Sequence, residues 1–302
     1  MTVFVRHSLD RSLRWLTALA ALAILAMLAL MMGHIAYHGW EKVTWEFVTA
    51  APQHGMTAGG IFPAIFGTAA LVMIMTVFVA PFGVLAAIYF SEYADRDSWF
   101  YKVSRQAVNN LAGVPSIVFG LFGLGFFVQF VGKGIDRSLY GGELQYGQPA
   151  ILWAALTLAV LTLPVVIVSV EEALQAVPTS YREASYALGS TKSQAVFRVV
   201  LPHALPGVLT GAILAVSRAA GEVAPILFVG AAYYLPHLPT KLNDQFMELG
   251  YHIFILSTQS PDVDATKPLL YATVFVLLAL TFFLNALAII IRARMRLVQR
   301  SV

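Results

Sequence analysis

The chain has no cysteine among its 302 residues. Disulfide bonds, catalytic thiols and cysteine-ligated metal sites are therefore excluded. Seven histidines are present, but none belongs to an HExxH pattern, and no GxSxG sequence occurs. Neither a zinc-protease helix nor the nucleophile turn of a serine hydrolase is indicated. We expect the chain to carry no metal ion and no cofactor.

A nucleotide-binding P-loop is also missing. Such a loop ends in Gly-Lys, and the chain has this pair only at positions 132–133. Phe127 stands where the first glycine of the GxxxxGK pattern is required. We therefore predict that the chain binds no ATP by this route and is not an enzyme.

Charged residues are scarce. They make up 12% of the chain, whereas soluble domains usually contain about 25%. Hydrophobic residues make up 59%, and the mean hydropathy is +0.75. A helix that crosses the bilayer needs about 20 mostly apolar residues. Six runs meet this requirement, and they predict an all-α membrane protein with six transmembrane helices, at about 15–37, 61–90, 108–131, 149–170, 205–231 and 269–291.

The basic residues are distributed unevenly between the two sides of the membrane. With the N-terminus in the cytoplasm, the inner segments contain thirteen lysines and arginines, and the outer segments contain five. This excess is typical of cytoplasmic segments, so both termini are predicted to be cytoplasmic. The longest outer segment, 232–268, is predicted to contain a short surface helix over Lys241–Ile255. It is either a docking surface for an external partner or a solvated connector.

A polar stretch, 183–204, interrupts the apolar sequence between the fourth and fifth predicted spans. Pro178 suits a first helical turn. Gly189 suits the left-handed end of a helix. These signals predict a short helix over Tyr181–Leu188 on the cytoplasmic side.

A second short helix is predicted after this glycine. Thr191 and Gln194 have the spacing of a capping box. The helix is expected to run to about Val200, and Pro202 follows it. Two polar helices bent at a glycine suit contact with another protein, but an ordinary cytoplasmic loop is the alternative.

The residues of this stretch also follow a known pattern. Glu183-Ala184-Ser185 is followed by Gly189, then Val199, then Leu201-Pro202. This spacing resembles the EAA motif in the inner loop of bacterial ABC import permeases, with Ser185 and Val199 where alanine and isoleucine are usual. The resemblance implies a coupling loop, about 171–204, that seats in a groove of a separate ATPase. Its motif residues here are Glu183, Ala184, Gly189, Leu201 and Pro202.

Further blocks narrow the resemblance to the A-type permease of bacterial phosphate-specific importers. They are PFGVLAAIYFSEYA (81–94), LAGVPSIVFGLFGL (111–124), TLPVVIVSVEEAL (162–174), SRAAGEVAPILF (217–228) and YHIFILSTQSPD (251–262). The resemblance is taken to extend over the second to sixth predicted spans and to leave about the first 50 residues outside it.

The resemblance implies a type I ABC importer permease fold in the bacterial inner (plasma) membrane. Residues 1–60 would form an N-terminal tail, the first span and an outer loop, and residues 61–302 the permease core. The chain would provide half of the pathway for inorganic phosphate, as a heterodimer with a second permease. The other implied partners are two ATPase subunits, a periplasmic phosphate-binding protein and the lipid bilayer. No nucleic acid is implied.

Arg218 and Glu222 place two charges inside the fifth predicted span, where each costs at least about 2.5–3.5 kcal/mol. Their i, i+4 spacing puts them on one face of a helix. One interpretation is a structural ion pair. The other, favoured by the resemblance, is a site on an anion pathway, where Arg218 meets phosphate oxygens and Glu222 holds or releases the guanidinium. Pro225 would leave the carbonyl of Gly221 without its helical partner and free to face a cavity.

Two other classes of function stay open. An importer of another oxyanion, sulfate or molybdate, is the nearer alternative. An ATP-independent transporter or channel is compatible with six spans and an ion pair, but an EAA loop would have no use there.

Overall fold

The structure is a computed structural model that describes residues 2–53, 58–260 and 263–300, with side chains from residue 13 to residue 294 within these ranges. One antiparallel pair of two-residue strands is present, β1 (Pro52–Gln53) and β2 (Ala58–Gly59). The helices are α1 (Thr2–Gly39), α2 (Trp45–Thr49), α3 (Phe62–Ile88), α4 (Trp99–Ala112), α5 (Ser116–Phe122), α6 (Lys133–Leu139), α7 (Ile151–Gln175), α8 (Thr179–Ala187), α9 (Lys192–Ala195), α10 (Leu201–Ala219), α11 (Leu249–Thr258) and α12 (Val263–Arg300). Three π-helical segments continue α3, α5 and α9, at Tyr89–Tyr93, Gly123–Gly132 and Val196–Val200.

Six helical segments of the described chain are long and apolar enough to cross a membrane. They are Leu13–Lys42, Phe62–Tyr93, Ser116–Leu139, Ile151–Gln175, Lys192–Ala219 and Val263–Arg294. The all-α class and the number of spans predicted from the sequence are confirmed.

The third span begins later than the predicted 108–131. In the structure α4 ends at Ala112, Pro115 precedes the next helix, and the span is Ser116–Leu139. A proline disfavours helical geometry in the residue before it, so the chain turns ahead of Pro115. The predicted span therefore included the last turn of α4 as well as α5, which are separate helices.

The core is built around α7. More than half of its apolar window is buried, and α3 and α10 pack along it. Glycines bring these helices close together: a side chain at Gly83 of α3 would meet Val166, and one at Gly211 of α10 would meet Ser169. Small residues are the usual means of close helix packing in membranes. At the edge of the molecule, α1 packs against α12.

The segment predicted to lie outside the membrane folds back onto the helices. Its helix α11 begins at Leu249, so the predicted bounds Lys241–Ile255 are wrong, and its inner face is buried instead of lying on the surface. The sequence after Glu248 is strongly apolar, and its burial against α3 and α12 stabilises the packed position. The buried residues of α11 are Leu249, Gly250, His252, Ile255 and Leu256.

Glu248 begins this helix. Its carboxylate accepts hydrogen bonds from the backbone N–H groups of Gly250, at 2.8 Å, and Tyr251, at 2.6 Å. Burial raises the pKa of the Glu248 carboxyl to about 7, although these two hydrogen bonds act in the opposite direction. The capping bonds fix the point at which the outer segment turns back toward α3.

The contact between α3 and the outer segment gives a stability prediction. A methyl group at Gly67 would clash with the backbone carbonyl of Met247 and lie 3.1 Å from the ring of Phe246, whereas one at Gly125 would meet nothing within 4 Å. We expect Gly67→Ala to lower the stability of the detergent-purified protein by about 1–3 kcal/mol. Gly125→Ala is the matched control and should leave thermal unfolding unchanged. Equal melting temperatures for the two variants would contradict the packing described.

Candidate functional site

The polar stretch forms a bent pair of helices. The first, α8, spans Thr179–Ala187, and Pro178 is the residue immediately before it. Gly189 has φ +83°, and a side chain there would meet nothing within 4 Å. The predicted left-handed turn at Gly189 is confirmed, and only the backbone conformation requires glycine at this position.

The second helix starts as predicted and ends elsewhere. The capping box is present: the Gln194 N–H donates to Thr191 Oγ1 at 3.3 Å, and the Thr191 N–H donates to Gln194 Oε1 at 3.0 Å. The predicted end near Val200 is wrong, because α9 passes through a π-helical turn directly into α10. The wider turn lies immediately before Pro202, a residue whose missing N–H would interrupt a regular α-helix.

The predicted motif residues occupy two places. Glu183, Ala184 and Gly189 are exposed on α8 and at the bend. Leu201 is partly buried and Pro202 is exposed in the first turn of α10.

An apolar side chain lies at the tip of the bend. Leu188, next to the glycine turn, is 89% exposed. Two tyrosines of α8, Tyr181 and Tyr186, are exposed as well. The loop therefore presents aromatic and aliphatic groups to the solvent together with the carboxylate of Glu183, which suits contact with another protein.

Arg182 ties this loop to the rest of the chain. Its guanidinium donates to Glu92 Oε1 at 2.6 Å, to the carbonyl of Leu174 at 2.9 Å and to the carbonyl of Val177 at 2.8 Å. The sequence gives no sign of this contact, because Glu92 and Arg182 lie 90 positions apart. No local spacing could have indicated it.

A second Arg–Glu pair lies between α4 and α7. Arg105 donates to the carboxylate of Glu171, which is almost fully buried. The hydrogen bond to Glu171 raises the pKa of the Arg105 guanidinium. This pair involves no residue of the bent helices 179–200.

The predicted charge pair lies at a helix end. Arg218 is in the last turn of α10, which stops at Ala219, and Glu222 lies in the turns that follow. The predicted span 205–231 is therefore wrong, and the two residues do not share the face of one continuous helix. They still form an ion pair, with Arg218 Nε 3.3 Å from Glu222 Oε1.

The helix ends between other transmembrane segments. After Ala219 the chain runs as turns as far as Gly230. A side chain at Gly120, in the third span, would lie 2.9 Å from the carbonyl oxygen of Pro225. The N–H of Ala150, just before α7, donates to the carbonyl of Val229 at 2.8 Å. Protein thus covers this non-helical backbone at Pro225 and Val229, as is required inside a membrane.

The charge pair itself is not covered by its own chain. The side chain of Arg218 is 48% exposed and that of Glu222 is 20% exposed. Charges in this position would be costly against lipid. The exposed sides of these charges are therefore open to contact with a second subunit, water or an anion.

A cavity of about 360 Å³ lies along the same helix. Leu214, one turn before Arg218, forms part of its wall, whereas Arg218 itself is not among the lining residues. Its remaining walls come from α4 and α7 and include Asn109, Ser169 and Glu172.

Arg218 offers a planar pair of N–H donors that matches the oxygens of a tetrahedral oxyanion. Glu222 offers the same guanidinium a partner when no anion is bound.

Residues 79–297 match the family described as "Binding-protein-dependent transport system inner membrane component". A curated relative from Yersinia pestis, "Phosphate transport system permease protein PstA", is 34% identical over 82% of this chain and 77% of its own length. One from Methanocaldococcus jannaschii, "Probable phosphate transport system permease protein PstA", is 32% identical over 69% of this chain and 68% of its own length.

The fold is also found in a solved structure. One chain of a bacterial alginate ABC transporter, crystallised with a periplasmic protein bound to an alginate pentasaccharide, covers 98% of this chain and 96% of its own length. The TM-score is 0.62 at 16% sequence identity, which is evidence for the fold alone. The family match extends over most of the chain, including the bent helices 179–200 and the Arg218–Glu222 pair, and the chain therefore belongs to the family of inner-membrane components of binding-protein-dependent transport systems.

Proposed function

We propose that the chain is the membrane-spanning permease of an ATP-driven phosphate importer and forms half of the translocation pathway. The observation that carries this proposal is the Arg218–Glu222 pair, which lies uncovered where a transmembrane helix ends between other spans. A fixed guanidinium at this depth suits an anion that crosses a low-dielectric region. Phosphate is the anion named in the two relatives described above.

The bent helices 179–200 are proposed to be the coupling loop, within about 171–204. Glu183, Ala184 and Gly189 would contact a separate ATPase subunit, and Leu201 and Pro202 would join this contact to α10. Exposed Leu188 and the tyrosines of α8 support a protein-binding surface. Residues 61–302 would form the permease core, and residues 1–60 an additional span with its flanking segments.

The remaining subunits follow from this assignment. The chain would pair with a second permease, two copies of an ATPase and a periplasmic phosphate-binding protein. ATP would be bound and hydrolysed by the ATPase and not by this chain, in agreement with the missing P-loop. The uncovered face of Arg218 supports a paired permease, because one chain leaves the pathway open on that side.

Other oxyanions are the nearer alternative. Sulfate and molybdate are tetrahedral and could also bind the arginine fork. Uptake of labelled phosphate in competition with each anion separates these substrates. Proton-driven phosphate transport by the purified chain alone would instead support an ATP-independent transporter.

Topology gives one prediction. With the excess of basic residues inside, the bend of the coupling loop is cytoplasmic and the outer segment 232–268 is periplasmic. Cysteines introduced singly at Ser193 and Gln259, both exposed, should react from opposite sides of the membrane. Only the variant at Gln259 should be labelled by an impermeant maleimide in intact spheroplasts, and the other after lysis. Labelling of both in intact spheroplasts would refute the orientation.

Gly189 gives a prediction about coupling. A β-branched side chain tolerates positive φ poorly, so Gly189→Val should distort the bend between α8 and α9. We expect the ATPase to be lost on purification of the permease, together with phosphate uptake. Gly142→Val is the matched control, since Gly142 has φ +94° and equally open surroundings outside the coupling loop. Normal recovery of the ATPase with Gly189→Val would contradict the assigned docking role.

Arg218 gives the prediction that separates a pathway site from a structural ion pair. If the pair is only structural, Arg218→Gln strands a carboxylate, and the double change with Glu222→Gln should restore both folding and uptake. If Arg218 binds the anion, the double variant should fold and still transport about 10- to 100-fold less, the loss expected for charge-assisted hydrogen bonds. We expect the second result.

The lysine variant tests the geometry of the same contact. Arg218→Lys keeps the positive charge but loses the planar pair of donors, so uptake should stay low. Phosphate uptake is measured in cells without other phosphate importers and is normalised to the amount of permease in the membrane. Near-normal uptake by the double variant would assign the pair to scaffolding.

A further inference from the structure

We propose that Arg182 and Glu92 form the joint through which movement of the coupling loop reaches the core helices α3 and α7. This inference rests on the proposed function of the loop and adds positioning residues to it. The ion pair connects α8 to the π-helical segment Tyr89–Tyr93, which continues α3.

All three nitrogens of the Arg182 guanidinium are engaged. Two of them face the carboxylate of Glu92, with distances of 2.6 Å to Oε1 and 3.4 Å to Oε2. The same group donates to the carbonyls of Leu174 and Val177, at the end of α7 and just after it. One side chain of α8 is therefore bonded to two separate core helices.

The joint is shielded from water. The side chains of Arg182 and Glu92 are 17% and 8% exposed. A buried charge that loses its partner is strongly destabilised, so the two residues will stay together when either helix moves. An exposed ion pair would give no such constraint.

A second contact reaches the same segment from the other side of the bend. The ammonium of Lys192, the first residue of α9, lies 5.2 Å from the centre of the Tyr93 ring. This distance is within the range of a cation–π interaction. Both helices of the coupling loop therefore contact residues 89–93.

This segment is itself part of the core. Phe90 is buried and meets the ring of Tyr101 edge-on at 5.9 Å. A displacement of Glu92 is consequently passed to packed side chains and not to a loose loop. π-helical turns are frequent at functional sites, and this one lies where α3 leaves its regular helix.

The Arg105–Glu171 pair supplies the matched control. It is also an Arg–Glu pair, and its nearly buried carboxylate lies on α7, but it contains no residue of the bent helices 179–200. A role in general support of the structure predicts similar effects for both pairs. A role in transmission predicts an effect for the Arg182–Glu92 pair alone.

The experiment uses the complete transporter in proteoliposomes, with both permeases, the ATPase and the binding protein. Glu92→Gln keeps the shape of the side chain and leaves Arg182 its two carbonyl partners. We expect the ATPase to co-purify and to hydrolyse ATP, while the phosphate transported per ATP falls at least about tenfold. Glu171→Gln should keep this ratio unchanged.

Arg182→Lys is the second variant. A lysine retains the charge but has no planar fork to bond the carboxylate and two carbonyls together. The ratio of phosphate to ATP should fall again, with the ATPase still bound. An unchanged ratio in both variants, or an equal fall with Glu171→Gln, would overturn the proposal.

Loss of the ATPase on purification of Glu92→Gln would also overturn it, because the pair would then shape the docking surface and not transmit its movement. A different result is expected if the proposed function itself is wrong. In that case the unaltered chain would not bind an ATPase at all, and no ratio could be measured for any variant.

Discussion

Backbone N–H and C=O groups find no water inside a bilayer, so a chain that leaves the helix there must be covered by protein. The non-helical stretch after Ala219 meets this condition at two of its carbonyl groups. Ala150 donates to the carbonyl of Val229, and the carbonyl of Pro225 lies against Gly120, where a larger residue would collide with it. The third span and α7 thus allow α10 to end beside Arg218. The Arg218–Glu222 pair lies at this helix end, with the arginine side chain about half exposed.

The three Arg–Glu pairs differ in how completely the chain surrounds them. Arg182–Glu92 and Arg105–Glu171 each have a carboxylate that is less than a tenth exposed. The free-energy cost of burying these charges is offset within the chain by hydrogen bonds and by the opposite charge of the partner. In contrast, the side chain of Arg218 is about half exposed. A charge left uncovered in a transmembrane region has no compensation from lipid. We propose that its environment is completed from outside the chain, by a partner subunit, water or an anion.

Structural features that depend on neighbouring residues could be predicted from local signals in the sequence. The six spans follow from the length of the apolar runs, and the bend follows from the glycine at position 189. The capping box follows from the spacing of Thr191 and Gln194. The end of α10, the packed α11 and the Arg182–Glu92 contact were not predictable in this way. Each depends on segments distant in the chain: Gly120 and Ala150 for the turns, α3 and α12 for α11, and two residues 90 positions apart for the ion pair. The i, i+4 spacing of Arg218 and Glu222 predicted their contact, but it did not predict that the helix ends between them.

The continuity of α9 and α10 has a mechanical consequence. From Lys192 to Ala219 the chain is helical for 28 residues, a length of about 42 Å at 1.5 Å per residue. The helix therefore starts in the proposed coupling loop and ends one residue after Arg218. A helix resists compression along its axis, and its weak point is the π-helical turn with the adjacent Pro202. Displacement of the loop must either bend the helix at that turn or carry Arg218 with it. One continuous helix thus joins the proposed ATPase-facing surface to the proposed anion site.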